Sequence, residues 1–408
     1  MKLIKTLALG TLALALASMA SAVTVKVTGS TAFRASLYAS IINQLGNGTV
    51  KAAYVGSSLA GANQAVFSNG TDTVQACMAG SVGGINWIVN DVNVATAPGG
   101  NTATAWLSVS NITGATATAS STTSAVTGGS VAASPVWDAA SIADFTMSDS
   151  LQDSTPYDSG TTGITLTGAA GGNLGVVQFV MAKGTQHPLI PAGSYNALTN
   201  MSALAFQNLA NQGIVPLSYF TGVATDNAYN VVLVGRDNDS GTRLATTFET
   251  GLGSVDTAMS QFRAFDGAND VGSGTGVVVK SLTGVLPQAG YASGSQVKKV
   301  LNAAVDSTAL VGGKPFILVA YVGTGDKPTA AAQVLTYNGY AQNATATQNG
   351  QYSFWTYEQA YYKTTDAAKI AKIEAIAGGV QSTYATVSGG LLNSSMLVSR
   401  GSEGTVVF

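Results

Sequence analysis

The sequence is short of cysteine, histidine and charge. Cys77 is its one cysteine and His187 its one histidine in 408 residues. A lone cysteine excludes an intramolecular disulfide, so stability must come from packing, and a small buried thiol is its commoner use. One histidine excludes a pair for zinc. A histidine-based triad, a Gly-x-Ser-x-Gly elbow and a complete Walker phosphate motif are also missing. His187 stands before Pro188 in a stretch that reads as a loop. These gaps argue against an enzyme, and no cofactor or metal is expected. Charged residues make up 9% of the chain; setting Lys2 and Lys5 aside leaves 16 basic against 20 acidic residues. That balance excludes the basic surface nucleic acid needs. Long apolar runs are missing too: beyond the N-terminus no segment approaches the roughly 20 apolar residues of a membrane span.

At the N-terminus, Lys2 and Lys5, apolar Leu7 to Ala17, and Ala20-Ser21-Ala22 form the pattern of a cleaved secretory signal over residues 1–22. The mature chain is expected to begin near Val23, in the periplasm or outside the cell. No lipobox cysteine follows, so no N-terminal lipid anchor is expected. The roughly 386 remaining residues are too many for one ordinary core and favour two domains.

Val23 to Val27 alternates like a strand and runs into Thr28-Gly29-Ser30-Thr31; Phe33, Leu37, Ile41 and Leu45 then stack on one face of a helix. A second glycine-rich turn, Gly80-Ser81-Val82-Gly83-Gly84, leads into Ile85 to Val89, too short to classify by periodicity. Between Asp91 and Asp138 there is no charge, and alternation through Ala105 to Ile112 favours an inserted hairpin within 92–137. Val176 to Met181 reads as a strand, Ser202 to Leu209 as part of a helix, and Asn230 to Val234 as a strand buried on both faces. The last runs into Gly235 to Arg243, and Leu244, Phe248 and Leu252 mark the following helix. Val297 to Ala304 looks helical, Pro315 to Val322 strand-like, and Ala367 to Ile376 helical. The aromatics Tyr352, Phe354, Trp355 and Tyr357 suit packing beneath a domain better than stacking on a sugar. Repeated strand, polar turn, helix units predict an α/β fold with doubly wound sheets, and such sheets bind ligands beyond the carboxyl ends of their strands.

Taken together and in order, the polar turns resemble the phosphate-binding proteins of bacterial ABC uptake systems. Ser30-Thr31-Ala32-Phe33 is similar to that family's first loop, and Gly80 to Gly84 to its Gly-Ser-Ser-Gly-Gly loop. Ala143 to Asp149 is similar to its Asp-Phe-Gly-Ala-Ser-Asp segment, and Arg236 to Thr242 to its Arg-x-Asp-Gly-Ser-Gly-Thr loop, the most specific of the four. The resemblance implies two doubly wound lobes of the periplasmic-binding-protein type with a crevice between them and a β-rich insertion. Lobe I would span 23–182 with the insertion at about 92–137, lobe II 183–344, and 345–408 would return to lobe I. It implies a monomer that binds phosphate or a related oxyanion and delivers it to an ABC-transporter permease.

The ligand residues so implied are Ser30, Thr31, Phe33, Ser81, Asp149, Arg236, Asn238, Ser240, Gly241 and Thr242. Ser81 takes the place of the second loop's hydroxyl, Asp149 that of the carboxylate accepting the ligand's proton, and Arg236, Ser240, Gly241 and Thr242 those of the arginine, hydroxyl and amide donors. The first loop carries Ala32 where the family has Thr, so its hydroxyl must come from Ser30 or Thr31. Asn238 replaces the Asp that holds the arginine, so Asp237 or Asp239 must hold Arg236, or its geometry changes. Without the family, the chemistry is coherent: helix N-termini, hydroxyls and one arginine suit a tetrahedral oxyanion, and a buried carboxylate accepts from phosphate but repels sulfate. Other readings stand beside these. Arg236 with Asp237 and Asp239 also reads as a surface ion-pair cluster, Asp149 as an N-cap, and Arg34 as a solvated helix arginine. A calcium loop at Asp237 fails because the twelfth position is Phe248. The competing function is a surface or adhesive protein whose ligand is lost or different.

Overall fold

In a computed structural model the described residues are 22–93, 106–123, 125–253, 258–284 and 290–404; the signal-like segment before residue 22 and part of the uncharged stretch lie outside them. The site depends on β1 (Thr24–Gly29), α1 (Arg34–Gly46), β2 (Lys51–Val55), β3 (Gln64–Ser68), β4 (Thr73–Cys77) and α2 (Ser81–Val89). These are followed by β5 (Ala117–Ser120), β6 (Ala125–Gly128), β7 (Ser130–Val131), β8 (Phe145–Ser148), β9 (Thr167–Gly168) and β10 (Gly175–Lys183). Then come α3 (Ala203–Gln212), β11 (Ile214–Pro216), β12 (Asn230–Leu233), α4 (Gly241–Glu249), α5 (Gly294–Asn302), β13 (Phe316–Gly323), β14 (Trp355–Tyr362) and α6 (Ala367–Gly379).

Twelve strands form one mixed sheet in the order β11-β12-β13-β10-β14-β8-β1-β4-β3-β2-β7, with β9 added against β14. Within this sheet parallel pairing, the mark of doubly wound units, is confined to β4-β1-β8, β12-β13 and the short β2-β7 contact. The other pairs along the path are antiparallel, so the expected α/β class holds as a mixed sheet in which helical crossovers supply only part of the connectivity. β10 and β14 link the two parallel groups, since β14 pairs β10 through its first half and β8 through its second.

The central strands are apolar on both faces, and their period of two shares side chains between two cores. On β13, Ile317, Val319 and Tyr321 join one core while Phe316, Leu318, Ala320 and Val322 join the other. β12 and the residue after it divide likewise, Val231 and Leu233 against Val232 and Val234. Removing such a side chain, as in Leu318→Ala, costs about 2–5 kcal/mol in cores of this kind. The structure decides two further stretches. Ile85 to Val89 is the end of α2, where Ile85, Trp87, Ile88 and Val89 are buried. The inserted hairpin is β5-β6, later than Ala105 to Ile112; within that earlier run Val109–Asn111 is a 3-10 turn, capped by the Ser108 hydroxyl on the Ser110 amide. The aromatics pack as expected, with Tyr352, Phe354 and Trp355 buried and Phe354 stacked near Tyr337. Among the described residues no helix is long and apolar enough to cross a membrane.

Candidate functional site

The polar turns at the carboxyl ends of β1, β4, β8 and β12 fold toward one another. α2 begins at Ser81 after Gly80, whose φ of +99° favours glycine and whose Cβ would stand 2.3 Å from the Asp239 carbonyl oxygen. That carbonyl accepts the N–H groups of Val82 (3.0 Å) and Gly83 (3.2 Å), so the first turn of α2 is seated on the turn before α4. α4 begins at Gly241 because Ser240 is its N-cap, its hydroxyl accepting the Arg243 N–H at 3.2 Å.

Asp149, one residue beyond β8, is 1% exposed and lies where these two helix starts meet. The Ser81 hydroxyl donates to one carboxylate oxygen of Asp149 and accepts the Asp149 N–H at 3.1 Å. The Thr242 hydroxyl reaches the other oxygen at 3.4 Å. Gly241 presses so closely that a Cβ there would fall 1.7 Å from Asp149 Oδ1. Burial pushes the Asp149 carboxyl above its ordinary range; the Ser81 hydroxyl, the Arg236 charge and the Thr242 hydroxyl oppose that rise.

Arg236 is buried and held by backbone. Its Nε donates to Tyr291 O (3.0 Å), and its Nη2 donates to Ala292 O (2.9 Å) and the Thr31 hydroxyl (3.3 Å). Its own backbone is pinned as well: the N–H donates to the Tyr321 hydroxyl at 3.1 Å, and the carbonyl accepts from Arg243 and Gln261. Among the described residues no carboxylate forms an ion pair with it. The expectation that Asp237 or Asp239 holds Arg236 gives way to its alternative: carbonyl oxygens fix the guanidinium without cancelling its charge. Burial raises Asp237 to about 7 against the pull of Arg236, and raises Asp239 to about 6.

Ser30, one residue past β1, is fully buried; its N–H donates to Met147 O (2.8 Å) and its hydroxyl accepts the Phe33 N–H at 3.3 Å. Phe33 itself is a core residue, its ring packed near Gly175 and Gly390, because it opens the apolar face of α1. Asn238 is half-buried on the α4 turn, its Oδ1 without a hydrogen-bond partner. The structure thus brings Ser81, Asp149, Gly241 and Thr242 together, sets Arg236 against Thr31, and leaves Phe33 to the core. Arg34 is buried, corrected from a solvated arginine, with its guanidinium on Ala60 O (3.2 Å) and Asn63 Oδ1 (2.5 Å). A cavity of about 440 Å³, lined by residues including Thr31, Arg34, Ser58, Ser295, Lys298 and Asp326, opens beside the Thr31 turn.

Sequence reading missed Glu358, in the middle of β14. It is fully buried, neither carboxylate oxygen has a hydrogen-bond partner of good geometry, and it feels the charge of Asp149. The signal was available: a single acid inside the run Trp355 to Tyr362, one position past the aromatic cluster.

No protein-family model and no curated protein matches this sequence. In chain trace it is similar to several solved structures. A protein from Clostridium perfringens, described as a phosphate ABC transporter substrate-binding protein and solved with bound phosphate, is 10% identical at a TM-score of 0.44, covering 90% of this chain and 99% of that one. An ABC-type phosphate transport receptor from Vibrio cholerae is 13% identical at a TM-score of 0.41, with 90% and 99% covered. PstS from Borrelia burgdorferi is 10% identical at a TM-score of 0.36, with 90% and 98% covered.

Proposed function

We propose that the chain is an exported solute-binding protein that holds inorganic phosphate between the Ser81 and Gly241 helix starts and presents it to an uptake transporter. The observation that carries this reading is the meeting of Ser81, Asp149, Gly241 and Thr242, drawn from three separate stretches, around one buried carboxylate. Hydroxyls and the start of α4 already surround an anionic oxygen there, the environment a dehydrated oxyanion needs. On binding, the ligand's oxygens take the hydroxyl donations and Asp149 turns to accept the ligand's proton. Arg236, fixed by carbonyls and with its charge uncancelled, supplies the attraction. Export is supported by the Lys2 to Ala22 pattern.

Calorimetry of the chain with phosphate and sulfate tests the proposal. The parent is expected to bind phosphate saturably; Arg236→Ala weakens binding by at least about tenfold, and Asp149→Asn narrows the preference over sulfate, each lost charge-assisted bond being worth about 1.5–3 kcal/mol. The cradle's donors already serve Asp149 and the Asp239 carbonyl, which favours the second reading, a surface or adhesive protein on this fold. No saturable phosphate binding by the parent would sink the carrier reading.

A further inference from the structure

Glu358 is an acid that packing alone does not explain. It stands opposite Gly175 in the β10-β14 register, and the Cβ direction from Gly175 leads to the Phe33 ring, which places Glu358 on the same side of the sheet as the turn that carries Ser30. Ser30 accepts the Phe33 N–H, so its own O–H is free to face the Glu358 carboxyl. The charged group acting on Glu358 is Asp149, from the end of β8; along its own strand, Tyr361 in turn feels the charge of Glu358. Burial, then the Asp149 charge, push the Glu358 carboxyl well above its usual range, and the Ser30 hydroxyl only partly opposes them. Two acids in one dry site beside an incoming anion cannot both be ionised.

We infer that Glu358 is a specificity-determining residue of this site, entering it as a proton donor to one ligand oxygen while Asp149 accepts from another. This rests on the oxyanion reading above and narrows it. The ligand class is an oxyanion that offers both a protonated and a bare oxygen, such as monohydrogen phosphate, arsenate or a phosphate monoester. An oxyanion with no proton satisfies Glu358 but leaves Asp149 repelled. The proton on Glu358 stays where it is, so no bond is made or broken beyond the hydrogen bond.

The test is calorimetry with inorganic phosphate on the full chain, at about pH 6 and about pH 9, for the parent, Glu358→Gln and Glu358→Met, with circular-dichroism melting to verify folding. Gln keeps a donor at the same reach and cannot ionise. It is expected to bind within about threefold of the parent at the lower pH and to gain on the parent as pH rises, since only the parent's carboxyl can ionise. Met removes the donor and is expected to weaken binding at least about tenfold at the lower pH. The inference is overturned if Glu358→Met binds like the parent, or if Glu358→Gln tightens binding equally at both pH values, the mark of an ionised, repelling carboxylate. Should Met fail to fold, the Gln pH contrast alone decides. A parent that binds no phosphate overturns the function proposed above; a parent that binds while the variants behave otherwise overturns only the role of Glu358.

Discussion

Two buried arginines in this protein are satisfied in opposite ways. Arg400 pairs with Glu249 at 3.0 Å, the two side chains 3% and 7% exposed, and its guanidinium also lies 4.4 Å over the Trp355 ring. Ser353 donates to the same Glu249 carboxylate. Arg236, equally buried, has carbonyls and one hydroxyl for partners although Asp237 follows it in the chain. A closed ion pair has spent its field on its partner; a guanidinium held by neutral groups still projects charge. The first arrangement fastens the C-terminal segment to the end of α4, and the second keeps a cation at the cradle.

The largest effect expected from this contrast is at the closed pair. Arg400→Ala strands Glu249 without its counter-charge and is expected to lose about 3–5 kcal/mol in urea unfolding while phosphate affinity stays within about twofold of the parent. A comparable affinity loss in Arg400→Ala and Arg236→Ala would erase the distinction between the two arginines. Next in size is Gly241→Ala, whose methyl group requires Asp149 to move. It is expected to cost about 1–3 kcal/mol and to abolish measurable phosphate binding; normal binding would remove Asp149 and the start of α4 from the site.

The smallest effect concerns Asp237, and its sign separates the two arrangements. Burial raises its carboxyl to about 7, so the folded chain holds a proton that the unfolded chain releases near its ordinary value of about 3.9. The stability this contributes is fully present below about pH 4 and is lost as pH rises through about 7. Asp237→Asn cannot ionise, so its stability relative to the parent should improve across that window, read as a shift in urea midpoint. Were Asp237 instead the hidden counter-ion of Arg236, as Glu249 is of Arg400, the substitution would destabilise most at the higher pH.

Much of the fold was legible because its signals are local. The β-branched run Asn230 to Val234 and the apolar run Pro315 to Val322 became β12 and β13 within a residue or two of their expected limits. Glycines and hydroxyls at strand ends marked the turns. The uncharged stretch was less readable, since its weak alternation fitted two places for one hairpin, and pairing with a partner strand chose between them. Ser81, Asp149, Gly241 and Thr242, which the structure brings together, were picked out by order and motif; Glu358 was passed over although it is the single acid in the run Trp355 to Tyr362.

The sequence by itself determined which residues make strands, which hydroxyls and glycines begin helices, and that one arginine follows a buried strand. Those follow from side-chain period and backbone preference, properties of neighbours in the chain. Tertiary structure alone decided that Ser81 and Thr242, 68 and 93 residues away from Asp149, both reach its carboxylate. It also decided that Arg236 rests on the carbonyls of Tyr291 and Ala292, and that Glu358 is fully buried in the middle of β14. A carbonyl partner has no side-chain signature, and contacts across such separations are set by how the sheet closes, so no local pattern of residues encodes them.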